Sequence, residues 1–158
     1  MGRMYTCPLD AVSVAAVCEL WYIAAPTDAI VVLHEVVVTQ DTSETSEQLP
    51  LNIFRTATDQ SAKGSALTPA PLKVGDAAFG GVVRYNILTA ETFATETTML
   101  KRQSQNIING WHYLPTPEAR IALSPTAGTA GRLCIKLDGA PSAALTVSGY
   151  AIIEEIGG

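Results

Sequence analysis

The chain holds two histidines, and each sits beside a residue that invites a chemical reading. His34-Glu35 opens like the H-E-x-x-H motif, in which two histidines one helical turn apart bind zinc and the glutamate acts as base. The second ligand position is Val38, so the zinc reading fails. His34 is read instead as a structural imidazole within a strand, in the core or at an interface. His112 stands between Trp111 and Tyr113. Two aromatic rings flanking an imidazole could stack a sugar or form an interface platform; the plainer reading is aromatic packing beneath an irregular segment. Trp111, His112 and Tyr113 are the candidate ligand or interface platform.

Other clusters are weaker. The stretch Gly75-Asp-Ala-Ala-Phe-Gly80-Gly81 lacks the Lys-Ser/Thr pair of a phosphate-binding loop, and its glycines are read as turn residues that permit positive φ. Asp41, Glu44 and Glu47 do not have the spacing of an EF-hand calcium loop and are read as a solvated acidic loop. No G-x-S-x-G elbow occurs. Cys7, Cys18 and Cys134 are odd in number and show no C-x-x-C spacing, which fits neither a disulfide framework nor a zinc ribbon; three thiols in a reducing compartment are expected. No catalytic residue, cofactor-binding residue or metal ligand is nominated, no cofactor is expected, and the chain is read as a non-enzyme.

The elements that must position these residues are strands. The 158 residues carry 10 basic and 15 acidic side chains, a net charge of −5, and correspond to one domain. Hydrophobic residues make up 47% and charged residues 16%, against a usual charged share of ~25%, which excludes a generic disordered chain. The acidic balance argues against nucleic acid, and Lys101-Arg102 is too small a patch to reverse that. No run of ~18 apolar residues suggests a membrane span, and the start of the chain matches neither a signal peptide nor a myristoylation signal.

No window shows helical periodicity. Residues 29–39 read as a central strand apolar on both faces, and residues 48–56, 132–138 and 144–154 alternate. Residues 12–25, 82–87, 91–101 and 120–124 supply further extended segments, and Asn109-Gly110 signals a tight turn. About eight short strands argue for an all-β fold, a two-sheet antiparallel sandwich of jelly-roll-like form. A single domain over residues 1–158 is expected, with residues 1–10 as an extended N-terminal arm. Its core is expected to include Val32, Leu51, Ile53, Leu133, Ile135, Leu137, Leu145, Val147 and Ile153. A strand apolar on both faces must be covered twice. Val31, Leu33 and Val37 are therefore the candidate oligomer face, covered by another copy of the chain.

Several short motifs occur together: Leu67-Thr-Pro-Ala-Pro71-Leu, Gly75-Asp-Ala-Ala-Phe-Gly80-Gly81, Trp111-His-Tyr-Leu-Pro115-Thr-Pro117-Glu118, and Leu145-Thr-Val-Ser-Gly149-Tyr followed by Glu154-Glu155. With Ala25-Pro26 and Asp28-Ala29 ahead of Val31-Val32-Leu33-His34-Glu35-Val36, they span roughly residues 20–156. In these motifs the sequence resembles a family of small β-sandwich virion proteins of tailed bacteriophages. The resemblance implies a capsid cement or decoration protein, made in the host cytoplasm and carried on the capsid surface. Its implied partners are the major capsid protein and further copies of itself, as a homotrimer at threefold positions of the lattice; neither nucleic acid nor membrane is among them. The alternative is a tail- or fibre-associated glycan-binding module using Trp111, His112 and Tyr113. The cysteine reading has a direct check: denatured, unreduced protein should titrate with three reactive thiols, and a count of one or none would overturn it.

Overall fold

The computed structural model describes residues 2–41 and 46–157. Strand makes up 56% of the chain and helix 6%, so the fold is all-β. Twelve strands run in chain order: β1 (Arg3–Val14), β2 (Cys18–Ala24), β3 (Ala29–Gln40), β4 (Gln48–Arg55), β5 (Ser65–Leu67), β6 (Ala70–Pro71), β7 (Val82–Leu88), β8 (Thr98–Asn106), β9 (Trp111–Tyr113), β10 (Ile121–Leu123), β11 (Arg132–Leu137) and β12 (Leu145–Gly157). All pairings are antiparallel.

The first sheet has the order β10-β3-β12-β1-β6, with β9 sharing the β10 edge of β3; the second has the order β5-β7-β2-β11-β4-β8. With β5 to β7 set aside and β9 and β10 taken as one broken strand, eight strands remain. The first, eighth, third and sixth form one sheet and the second, seventh, fourth and fifth form the other. That is the jelly-roll order. The segment between β4 and β8 is an insertion. Its β6 extends the first sheet past β1, and its β5 and β7 extend the second past β2.

The expected arm is overturned. Residues 3–10 belong to β1, which is paired along its length with β12, and Tyr5, Cys7 and Leu9 point into the core. The core lies between the sheets, and the expected core residues are buried except Val32. Strand β3 shows why. Glu35 pairs with Ile152 and Leu33 with Ile153, leaving His34 as an extra residue. A β-bulge of this kind shifts the phase of alternation by one. Val31 and Leu33 point inward before it, Val36 and Val38 after it, and Val32 lies on the outer face. A second mismatch concerns Asn109-Gly110. The pair ends a short 3-10 turn, Ile107–Asn109, with Gly110 at φ 70°, and carries the chain from one sheet to the other rather than closing a hairpin. Residues 92–97, expected within a strand, are not one.

The outer face of the second sheet is roofed by the chain's own insertion. Tyr22, Phe54, Ile87 and Cys134 form a second small core there with Ala94. Glu19, on that same face, is fully buried. It accepts a hydrogen bond from the Ala94 backbone N–H at 2.6 Å and one from Gln60 Nε2 at 3.4 Å, and Gln60 also donates to the Thr92 carbonyl at 3.1 Å. One carboxylate therefore ties two stretches of the roof to the sheet. Burial raises its pKa, opposed by the Ala94 hydrogen bond, by Lys136 and Lys63, and by Gln60.

For a carboxyl whose folded pKa is raised, stability is full below the unfolded value and falls as pH rises through the folded value. Glu19→Gln should remove that loss: the stability of this variant relative to wild type should increase as pH rises above the ordinary carboxyl range, read as urea midpoints. Glu19→Ala should cost about 2 kcal/mol by leaving the Ala94 N–H unpaired.

Candidate interaction surfaces

The outer face of the first sheet is built from the outward positions of β6, β1, β12, β3, β9 and β10. Strand register places them in rows. Met4 lies across from Glu154, and Glu154 from Val32; Thr6 lies across from Ile152, and Pro8 from Tyr150, which faces Val37 and then His112. Ile30 and Ile156 face each other at one end and are 41% and 42% exposed. The result is a broad face of partly exposed Met, Val, Ile, Pro and Tyr side chains with no roof of its own.

Two of its carboxylates are paired with histidines within the face. His34 Nε2 lies 2.8 Å from Glu154 Oε2, and Glu154 Oε1 accepts from the Gly2 backbone N–H at 3.1 Å. His112 Nε2 lies 2.8 Å from Glu35 Oε1, which also accepts from the Tyr150 hydroxyl at 3.2 Å. The Tyr150 phenol is raised above its usual range by desolvation, and further by the charge and hydrogen bond of Glu35. The bulge makes this possible, because it turns both His34 and Glu35 outward, where each meets its partner on a neighbouring strand. A shallow groove of about 290 Å³ beside this cluster is lined by Glu35, Val37, Asn109, Trp111, His112 and Tyr150.

The Trp111-His112-Tyr113 platform does not form as expected. Strand β9 alternates, so Trp111 and Tyr113 are 4% and 9% exposed and turn inward, while His112 points out. The two rings stack on each other, with centroids 6.0 Å apart and planes 11° apart, and Trp111 Nε1 donates to Gln103 Oε1 at 3.3 Å. Little of either ring is exposed, and the three side chains do not share one face. The oligomer face is corrected by the same periodicity: Val31 and Leu33 are 1% and 2% exposed and belong to the core, and only Val37 of the three lies outside.

The described carboxylates at the two ends of the acidic loop are engaged in hydrogen bonds. Glu47 receives the Ser142 backbone N–H on both carboxylate oxygens, Asp41 accepts from the Ser148 hydroxyl, and Glu44 lies outside the described residues. Among the described residues no three His, Cys, Asp or Glu side chains gather where they could hold a metal ion. The cysteines are buried and free, and burial pushes the thiols of Cys7 and Cys18 up to about 12 and that of Cys134 well above its usual range. They are packing groups and not nucleophiles, since the thiolate is the reactive form. No helix is long and apolar enough to cross a membrane.

Two features escaped sequence reasoning. Glu19 had a signal, a single carboxylate in the otherwise apolar run Cys18–Ala24. The second is a projecting turn after β6 in which Leu72 is 55% and Val74 98% exposed; the sequence signals there only the turn glycines that begin at Gly75.

No protein-family model matches the chain, and comparison with curated proteins and with solved structures returns no match.

The two faces of β3 can be separated by mutation. Val31→Asp should destabilise the fold by about 4 kcal/mol or more, because it buries an unpaired charge, whereas Val32→Asp should leave the urea midpoint nearly unchanged. Equal losses would place both side chains in the core.

Proposed function

We propose that this chain is a structural virion protein of a tailed bacteriophage, a capsid decoration or cement protein that stabilises the head through contacts with the major capsid protein. It works as a homotrimer on the capsid surface after synthesis in the host cytoplasm. The resemblance of the sequence motifs supports this reading. The observation that carries it is the asymmetry of the sandwich. One sheet is roofed by the chain's own insertion, with a second small core beneath. The other presents a wide, partly apolar face on which two carboxylates, Glu35 and Glu154, are each paired to a histidine. Pairing these charges within the face lowers the cost of burying it against a partner. We assign this face to the shell contact. It has the extent of five strands paired side by side, and a standard interface needs about 800 Å² from each partner.

The glycan-binding alternative relied on Trp111, His112 and Tyr113, and the inward turn of Trp111 and Tyr113 gives it less support than the decoration reading. Fractionation of purified particles tests the proposal. Copies in the hundreds per particle, bound to heads and lost on Val32→Asp or Ile152→Asp, are the expected result. A handful of copies fractionating with tails, or no particle association, overturns it.

A further inference from the structure

Two features on opposite edges of the sandwich remain unused. The first is the turn after β6. Leu72 continues the pairing of β6 by donating its N–H to the Met4 carbonyl at 2.8 Å, and the Asp76 N–H closes a turn onto the Lys73 carbonyl at 3.2 Å. Gly75 sits at φ 94°, a conformation that favours glycine, with nothing within 4 Å of the position a Cβ would take. The turn thus presents Val74 at its tip, 98% exposed. Its return leg is braced: Tyr5 donates its hydroxyl proton to the Ala77 carbonyl at 3.0 Å, and Phe79 packs edge-on against Tyr5 at 5.4 Å. This is a braced apolar finger. Its order is already present before any contact, which lowers the entropy that docking must overcome.

The second feature is a groove of about 440 Å³ between the free edge of β8 and the segment after β9. Leu100, Tyr113, Leu114 and Pro115 supply its apolar lining, and Leu114 is 65% exposed. Its volume falls within the ~300–1,000 Å³ of pockets that enclose a ligand group. Lys101 stands at the groove with its ammonium 5.8 Å from the centre of the Tyr113 ring, and Glu118 is exposed on the turn Pro117–Ala119.

Charge identifies the occupant. The finger carries Lys73 and Asp76 beside Val74, and the groove has Lys101 and Glu118 at or beside its lining. None of these four charges makes an ion pair among the described residues. Each site offers one cation and one anion about an apolar centre. The finger cannot fill the groove of its own chain: β6 and β9 lie on opposite edges of the first sheet, four strand spacings or about 19 Å apart.

We propose that the finger of one copy, Leu72 to Asp76, docks in the groove of the next, with Val74 and Leu72 against Leu114 and Tyr113, Asp76 towards Lys101 and Lys73 towards Glu118. Such a contact is heterologous, joining two different patches, and repetition generates a ring when the rotation closes. This deepens the homotrimer reading above and rests on its self-association; the groove meets the open sheet face at His112, which belongs to both.

Cysteine cross-linking tests the contact directly, because the native thiols are buried. V74C protein mixed with L114C protein should form an intermolecular disulfide under mild oxidation, with the fold unchanged since both side chains are exposed. Val74→Asp should weaken self-association about tenfold or more in sedimentation, Lys101→Glu should do the same, and Asp76→Lys combined with Lys101→Glu should restore it. Wild-type protein that stays monomeric at micromolar concentration overturns the proposal. So does a V74C–V74C link in place of the mixed one, or a Lys101→Glu variant that associates normally. The two proposals fail separately: protein that decorates heads without the mixed cross-link retains the virion role and loses this contact, and the converse result retains the contact alone.

Discussion

A single extra residue in β3 organises much of this molecule. Strand β3 lies between β12 on one side and the short β9 and β10 on the other, so its side chains must serve the core along twelve residues. Regular alternation would put Val31, Leu33, Glu35 and Val37 on one face, which would send a carboxylate into the core. The bulge at His34 shifts the phase at that point. Val31, Leu33, Val36 and Val38 then all face inward, and His34 and Glu35 both face out. Leaving a carboxylate buried and unpaired costs several kcal/mol, so the bulge resolves a conflict written into the strand.

The outward turn of those two residues has a consequence across the sheet. Each finds a partner on an adjacent strand, Glu154 on β12 for His34 and His112 on β9 for Glu35. Outside the sandwich the first sheet is therefore apolar between self-contained polar pairs. The second sheet meets the same problem of a two-sided apolar surface by another route. The insertion between β4 and β8 folds back over it, and buried Glu19 holds that roof by accepting the Ala94 N–H and the Gln60 amide. The same insertion supplies β5, β6 and β7, which lengthen both sheets at the β1 and β2 edge, and it projects the Val74 turn there. Capping an edge with short strands and a turn is a common answer to the exposed hydrogen-bonding groups of an edge strand.

These arrangements bear on function together. One face of the sandwich is closed by its own chain and the other is left open, and the buried cysteines pack within the fold. The finger and the groove lie at opposite edges of the first sheet, and the groove meets the open face at His112.

The sequence alone determined the class of fold. Alternation in residues 48–55, 132–137 and 145–153 follows from the two-residue period of a strand, so the inward sets Leu51 and Ile53, Leu133, Ile135 and Leu137, and Leu145, Val147 and Ile153 were legible without coordinates. The proposed virion setting rests on motif resemblance, which is independent of periodicity. Tertiary structure decided everything that depends on a break in period or on a partner far along the chain. The phase of β3 could not be read, because Val occupies both faces and the bulge is set by pairing with Ile152 and Ile153, over a hundred residues away. The Trp111-His112-Tyr113 triplet looked like one platform in sequence, yet a strand sends neighbours to opposite sides. Glu19 looked out of place in an apolar run until Gln60 and Ala94 came to it from the insertion. Residue type and spacing carry local geometry; which face a residue serves, and what meets it there, depends on contacts that only the folded chain brings together.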